Sequence, residues 1–170
     1  MKGRLSTIFL IITIFLIIIN GIFLIELYKN EDLRNFYYNN EGLPETYSDR
    51  ENQHMQEVKD LINFFILINI IFIISLIALK QKANYKYVGI SLIAISILLS
   101  IGALFYQQFH HNIHLLLFRS DTWLLPANSL LIQTYPLEYF KNKFIIINII
   151  YLVIGIILTF SRSLKLRLKP

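Results

Sequence analysis

Four stretches without a single charge, Leu5–Ile25, Leu61–Leu79, Tyr87–Phe105 and Phe144–Phe160, dominate this chain of 170 residues. A helix rises about 1.5 Å per residue, so about 20 residues cross a hydrocarbon core of about 30 Å. Each stretch is close to that length. The chain therefore reads as an all-α membrane protein. The expected organisation is one transmembrane domain over 1–170, with spans at 5–27, 49–79 (the second including a helical extension on the outer side), 86–106 and 143–161. An outer loop fills 28–48 and an outer interfacial or re-entrant segment fills 107–141.

The charges between the spans are sorted by side. Lys2 and Arg4 precede span 1. Lys80, Lys82 and Lys86 separate spans 2 and 3. Arg162, Lys165, Arg167 and Lys169 follow span 4, and none of these three flanks holds Asp or Glu. All 11 acidic residues sit in the other two connections. Excess Lys and Arg in short loops marks the cytoplasmic side. The expectation is a multi-pass membrane protein with both termini cytoplasmic and segments 26–60 and 106–143 outside. Span 1 is longer than a signal-peptide h-region. Ile25-Glu26-Leu27-Tyr28-Lys29 lacks the small residues of a cleavage site, so the span reads as a retained anchor.

Several function classes drop out. The net charge of +5 comes largely from cytoplasmic anchors, which suit anionic lipid and not nucleic acid. With no cysteine, disulfides and a thiol acyl-enzyme are impossible. No charge lies deep in a span, which argues against an ion pump or proton relay. No G-x-S-x-G elbow surrounds Ser120 or Ser129. Asn20, Asn63, Asn69 and Asn148, with Gly89, Ser91, Ser96, Ser100 and Gly102, are expected at helix–helix contacts, because small and polar side chains drive association in lipid.

All four histidines, His54, His110, His111 and His114, fall in the two outward segments. Histidine is the usual proton carrier near neutral pH. Ser48 and Glu51 have capping-box spacing, so the helix of span 2 should begin before the apolar run, with Val58, Leu61 and Phe65 sharing the face of His54. That face either aims His54 at the bundle core or leaves it at a solvated helix start. The segment from Phe109 to Phe140 is too apolar for a solvated loop and too interrupted to span. It reads as one or two short helices in the outer interface or dipping into the bundle mouth. His110 and His114 share an i, i+4 face, but no Glu or Cys accompanies them as a metal site would need; neither metal nor cofactor is expected.

Arg50-Glu51-x-x-His54-Met55-x-x-Val58-Lys59 resembles the first block of the lipoprotein intramolecular transacylases, a family of small four-span bacterial membrane proteins. Ile113-His114-x-x-x-Phe118-x-x-x-x-Trp123, followed by Pro126, Leu131-Ile132, Pro136 and Phe140, resembles their second block. The two blocks cover about 40 residues. The loop Tyr28–Tyr47 is shorter than the family's, the Asp before Pro126 is missing, Ser129 replaces a second Asp, and Ile113 stands where Phe is usual. The resemblance implies acyl transfer from the sn-2 ester of a diacylglyceryl lipoprotein to the α-amine of its N-terminal cysteine, giving the lyso form. It implies catalytic His54 and His114, with Arg50, Glu51, Met55, Phe118, Trp123 and Ser129 binding substrate or supporting the site. Membrane lipid is the other partner, and no oligomeric state is implied. Two further classes fit four plain spans: a phospholipase or intermolecular acyltransferase using the same histidines, and a non-catalytic accessory subunit of a transporter.

Overall fold

In lipid every backbone N–H and C=O must find its partner within the chain, and apolar stretches of this length do so as helices. The computed structural model describes residues 2–39, 42–79 and 82–167; the flanking cations Lys80 and Lys169 lie outside them. The elements are α1 (Lys2–Lys29), α2 (Glu31–Tyr38), α3 (Asp49–Leu79), α4 (Tyr85–Leu104), α5 (Tyr106–Leu117), α6 (Leu130–Thr134) and α7 (Leu137–Arg167). No strand occurs among the described residues. The helices α1, α3, α4 and α7 are each long and apolar enough to cross a membrane. The protein is an all-α membrane bundle.

The four long helices form two antiparallel pairs, α1 with α3 and α4 with α7, and α1 also touches α4 and α7. The α4–α7 contact is the closest. A Cβ added at Gly89 would come within 2.6 Å of the Gly155 carbonyl oxygen, and one at Gly155 within 2.9 Å of the Gly89 carbonyl oxygen. The two backbones therefore cross at paired glycines, which is how helices gain dispersion energy when acyl tails offer no hydrophobic gradient. Tyr151 on α7 ties this pair to α1: its ring stacks on Phe15 at 5.3 Å and its hydroxyl donates to the Phe15 carbonyl at 2.8 Å. Ser96 and Ser100 on α4 meet Asn148 on α7. Asn20 and Asn69 are buried, as expected of bundle contacts, whereas Asn63 is exposed on the outer side of α3.

At the termini end, Thr7 Oγ1 accepts from the Asn84 N–H at 2.9 Å and joins the start of α1 to the cap of α4. The opposite end carries everything else. The connection after α1 is not a plain loop. Asn30 caps α2 by accepting from the Leu33 N–H at 3.0 Å, Glu31 and Asp32 suit the helix dipole, and Leu33 and Phe36 bury one face. The third long helix, α4, ends at Leu104. Phe105 leaves helical geometry at φ −115°, ψ 42°, and α5 starts at the next residue. The ring of Phe109 then lies over Gly102, where a Cβ would approach it to 3.0 Å. Gly102 thus leaves room for the Phe109 ring beside the break.

Gly89→Leu or Gly155→Val should force α4 and α7 apart and destabilise the protein by about 1–3 kcal/mol. Gly21→Ala, with open space where its Cβ would stand, should leave thermal unfolding in detergent unchanged.

Candidate active site

The first turns of α3 precede its apolar run and organise the site. Ser48 and Glu51 make the capping box: Glu51 Oε2 accepts from the Ser48 N–H at 2.8 Å and from its hydroxyl at 2.7 Å, and Ser48 Oγ accepts from the Glu51 N–H at 3.3 Å. Glu51 does more than cap α3. Its Oε1 accepts from the Leu131 N–H at 2.7 Å, so one carboxylate, 3 % exposed, closes the N-termini of α3 and α6 together. Burial alone would raise its pKa; the N–H groups of Leu131, Ser48 and Leu130 and the Ser48 hydroxyl outweigh that and hold it below its ordinary value. Ser129 completes the α6 cap, its hydroxyl accepting from the Ile132 N–H at 3.4 Å.

Two more side chains of this stretch reach the connection between α5 and α6. The exposed Arg50 guanidinium donates to the Asp121 carbonyl. Glu57 accepts from Ser120 Oγ at 2.6 and 2.8 Å and from Thr122 Oγ1 at 2.7 Å. Arg50, His54 and Glu57 follow one another at i, i+4, i+7 and form a stripe. The chain segment after α5 is thereby laced to the α3 face that carries His54.

That lacing brings the histidines together. The rings of His54 and His114 lie 6.1 Å apart, and Phe118 packs against both, at 5.1 and 5.4 Å. Trp123 packs on His114 at 5.2 Å and on His111 at 5.2 Å. His54 is 8 % exposed and its Nδ1 has no hydrogen-bond partner. His114 Nδ1 lies 2.9 Å from the His110 carbonyl oxygen. A carbonyl only accepts, so Nδ1 carries the proton and the lone pair of the neutral ring sits on Nε2.

The histidines line an apolar cavity of about 390 Å³ with Met55, Val58, Phe118 and Trp123. α1, α6 and α7 supply the rest of the wall, including Phe23, Leu131 and Phe140. A larger open depression of about 920 Å³ lies on the other side of α5 and shares only His110 and Trp123 with it. Burial drives the imidazoles toward neutrality. Desolvation, with His114 nearby and Glu57 opposing, lowers His54 from its ordinary 6.5 to about 4. His110 falls to about 4 by desolvation and the neighbouring imidazoles. For His114, desolvation outweighs the hydrogen bond to the His110 carbonyl, and its pKa is also lowered.

Of the residues singled out from sequence, His54, Met55, His114, Phe118 and Trp123 meet at the cavity. Arg50, Glu51 and Ser129 do not line it; they hold the segment that roofs it. His110, set aside in sequence, lines the cavity with its ring 4.1 Å from that of His114. Glu57, Ser120 and Thr122 were missed. The only signal for Glu57 was its position one turn after His54. Across the cavity, Glu26 at the end of α1 accepts from Lys143 at 2.6 Å and from the Tyr139 hydroxyl, fastening α1 to α7. Among the described residues no group of three or more His, Cys, Asp or Glu is placed to hold a metal ion.

The fold and cavity define a membrane-embedded protein with paired imidazoles in an apolar pocket at one end of its bundle. The family model for the lipoprotein intramolecular transacylases (Lit) matches residues 33–140, well over half of the chain, from within α2 through α3, α4, α5 and α6 to the first turn of α7. The chain belongs to that family: it is an acyltransferase acting on a lipoprotein. No curated protein and no solved structure matches it.

Glu57→Ala leaves two hydroxyls without their acceptor, at a cost of about 1–3 kcal/mol. Hydrogen exchange should accelerate in 118–124 while α1, α4 and α7 keep their protection. The buried neutral histidines also set an acid limit. Their folded pKa values lie below 6.5, so the unfolded chain binds more protons between about 6.5 and 4. Stability should be full above about 6.5 and fall as pH drops toward 4, read as a decline in Tm that His54→Phe lessens.

Proposed function

We propose that the protein moves the sn-2 acyl chain of an S-diacylglyceryl lipoprotein onto the α-amine of its own N-terminal cysteine, leaving the lyso form. The observation that carries this reading is the pair of neutral imidazoles, His54 and His114, 6.1 Å apart in the wall of an apolar cavity.

The reaction needs no enzyme nucleophile, because the substrate brings its own amine. The amine nitrogen attacks the ester carbonyl, the carbon–oxygen bond to the glyceryl sn-2 position breaks, and an amide forms. One N–H proton leaves nitrogen and one proton reaches the released sn-2 oxygen. His114 takes the first through Nε2, since its Nδ1–H is committed to the His110 carbonyl. His114, now an imidazolium, returns that proton to the sn-2 oxygen as the carbon–oxygen bond breaks. His54, neutral and otherwise unpartnered at Nδ1, donates a hydrogen bond to the developing oxyanion and keeps its proton. Glu57 and Arg50 act by holding the α5–α6 connection and do not touch substrate. Tethering makes the attack intramolecular, but the glyceryl linker must fold into attack geometry, and the Phe118–Trp123 wall supplies that restraint. The apolar lining excludes water, which would otherwise hydrolyse the ester.

The distribution of Lys and Arg supports a site at the exoplasmic face with both termini cytoplasmic. That is the side on which a lipid-anchored peptide of the outer leaflet presents its ester.

His54→Ala and His114→Ala should each lower lyso-lipoprotein formation by about 10²-fold or more, the usual worth of a general acid or base. His111→Ala, whose ring touches Trp123 outside the cavity, should stay within a few-fold. Mass analysis of one lipoprotein N-terminus checks this: acyl count is conserved in intramolecular transfer, and a loss or gain of a chain would favour the phospholipase or intermolecular route. A substrate α-amine has a pKa of about 7.7–8. With His54 already neutral down to about 4, the logarithm of the rate should rise with slope one below the amine pKa. A second break near 6.5 would contradict the neutral-imidazole scheme.

A further inference from the structure

The cavity has depth as well as walls. His54 on α3, Phe140 on α7 and Glu26 on α1 mark its upper rim. Ile62, Ile147 and Ile19 also line it. Ile62 lies eight residues below His54, Ile147 seven below Phe140, and Ile19 seven before Glu26 on a helix running the other way. At about 1.5 Å per residue all three sit about 10–12 Å below the rim. Three branched side chains from three helices therefore line the cavity at one level.

The volume limits what enters. Water occupies about 30 Å³ in the liquid, and a methylene fills about the same space. A cavity of about 390 Å³ is thus on the scale of one acyl chain of on the order of a dozen carbons. The polar atoms at the rim, His54, His114, Glu26 and Lys143, suit the ester end of such a chain, and everything beneath suits its hydrocarbon.

We infer that Ile19, Ile62 and Ile147 form a floor that measures the transferred sn-2 acyl chain, so that they set its length preference while the sn-1 chain stays in the bilayer. The inference rests on the acyl transfer proposed above. An ester carbonyl placed between His54 and His114 directs its chain down the cavity toward this floor. A chain that is too long must bend or lift its ester off the imidazoles. Because the chain comes from an equally apolar bilayer, length is discriminated by packing and fit and not by transfer out of water.

The test uses the full-length protein in detergent with synthetic diacylglyceryl lipopeptides in which sn-1 and sn-2 lengths vary separately, competed pairwise and read by mass spectrometry. Ile62→Ala and Ile147→Ala should each move the preferred sn-2 length up by two or more carbons, and Ile62→Phe should move it down. Changes in sn-1 length should shift the ratio less than twofold in every variant. Ile149→Ala, which removes an exposed side chain on the lipid face of α7, should leave the preference where it was. If no floor variant changes the preference, or if the preference follows sn-1, the inference is overturned even though transfer proceeds. Absence of transfer from any lipopeptide, by folded wild-type protein, would instead overturn the proposed function on which it rests. Should Ile147→Ala unfold, Ile62→Phe carries the decision alone.

Discussion

The charged opening of α3 holds the rest of the site in register. Within eight residues, Arg50, Glu51 and Glu57 take hold of Asp121, Leu131, Ser120 and Thr122, which lie some 60 to 80 positions further along the chain. A carboxylate as buried as Glu51 is costly unless its oxygens are filled, and here N–H groups from two helix starts and a serine hydroxyl fill them. Such an anchor tolerates little displacement. His54, on the same turns, inherits that rigidity, and Phe118 and His114 are delivered to it by the segment so bound.

The bundle beneath supplies a dry enclosure. The paired glycines bring α4 and α7 into backbone contact, Tyr151 joins them to α1, and α3 packs on α1 from the other side. At the end where α2, α5 and α6 lie, residues of α1, α3 and α7 line the cavity. There Glu26 with Lys143 and Tyr139, and Asn30 with Tyr135, bridge α1 and its extension to the start of α7. The polar fastenings lie at the rim, and the space they surround is hydrocarbon-lined. A family that moves an acyl chain within one lipoprotein needs such a division: proton carriers at the edge, and below it a space that admits a chain and repels water.

Much of this was legible in the sequence because membranes impose simple rules. Uncharged stretches of a fixed length gave the spans, and Ser48 with Glu51 gave the early start of α3. Histidine placement, with the resemblance of two short blocks, pointed to His54 and His114. What escaped was tertiary. Glu51 has two oxygens, and sequence spacing accounts for one; the second is filled from 80 residues away. Glu57 looked like any exposed glutamate on a helix start until its hydroxyl partners folded back to it. Asn63 was expected inside because polar groups avoid lipid, yet it lies close to the charged turns where water or headgroups serve it. Helix α2 is short and polar, and its two buried side chains are too few for a periodic signal. The break at Phe105 has no proline or glycine at the turn itself, and Phe109 packs beside Gly102 across it.

The account stands on the meeting of positions 54 and 114 across α3 and α5. The chain has no cysteine, so a His54→Cys, His114→Cys double variant carries the only two thiols. A short bifunctional thiol reagent, followed by proteolytic cutting at a site inserted between α3 and α4, reads their proximity on a denaturing gel. The account predicts that the two fragments migrate as one after treatment and separate in either single variant. Fragments that separate in the double variant, although each thiol is shown to be labelled, would contradict it.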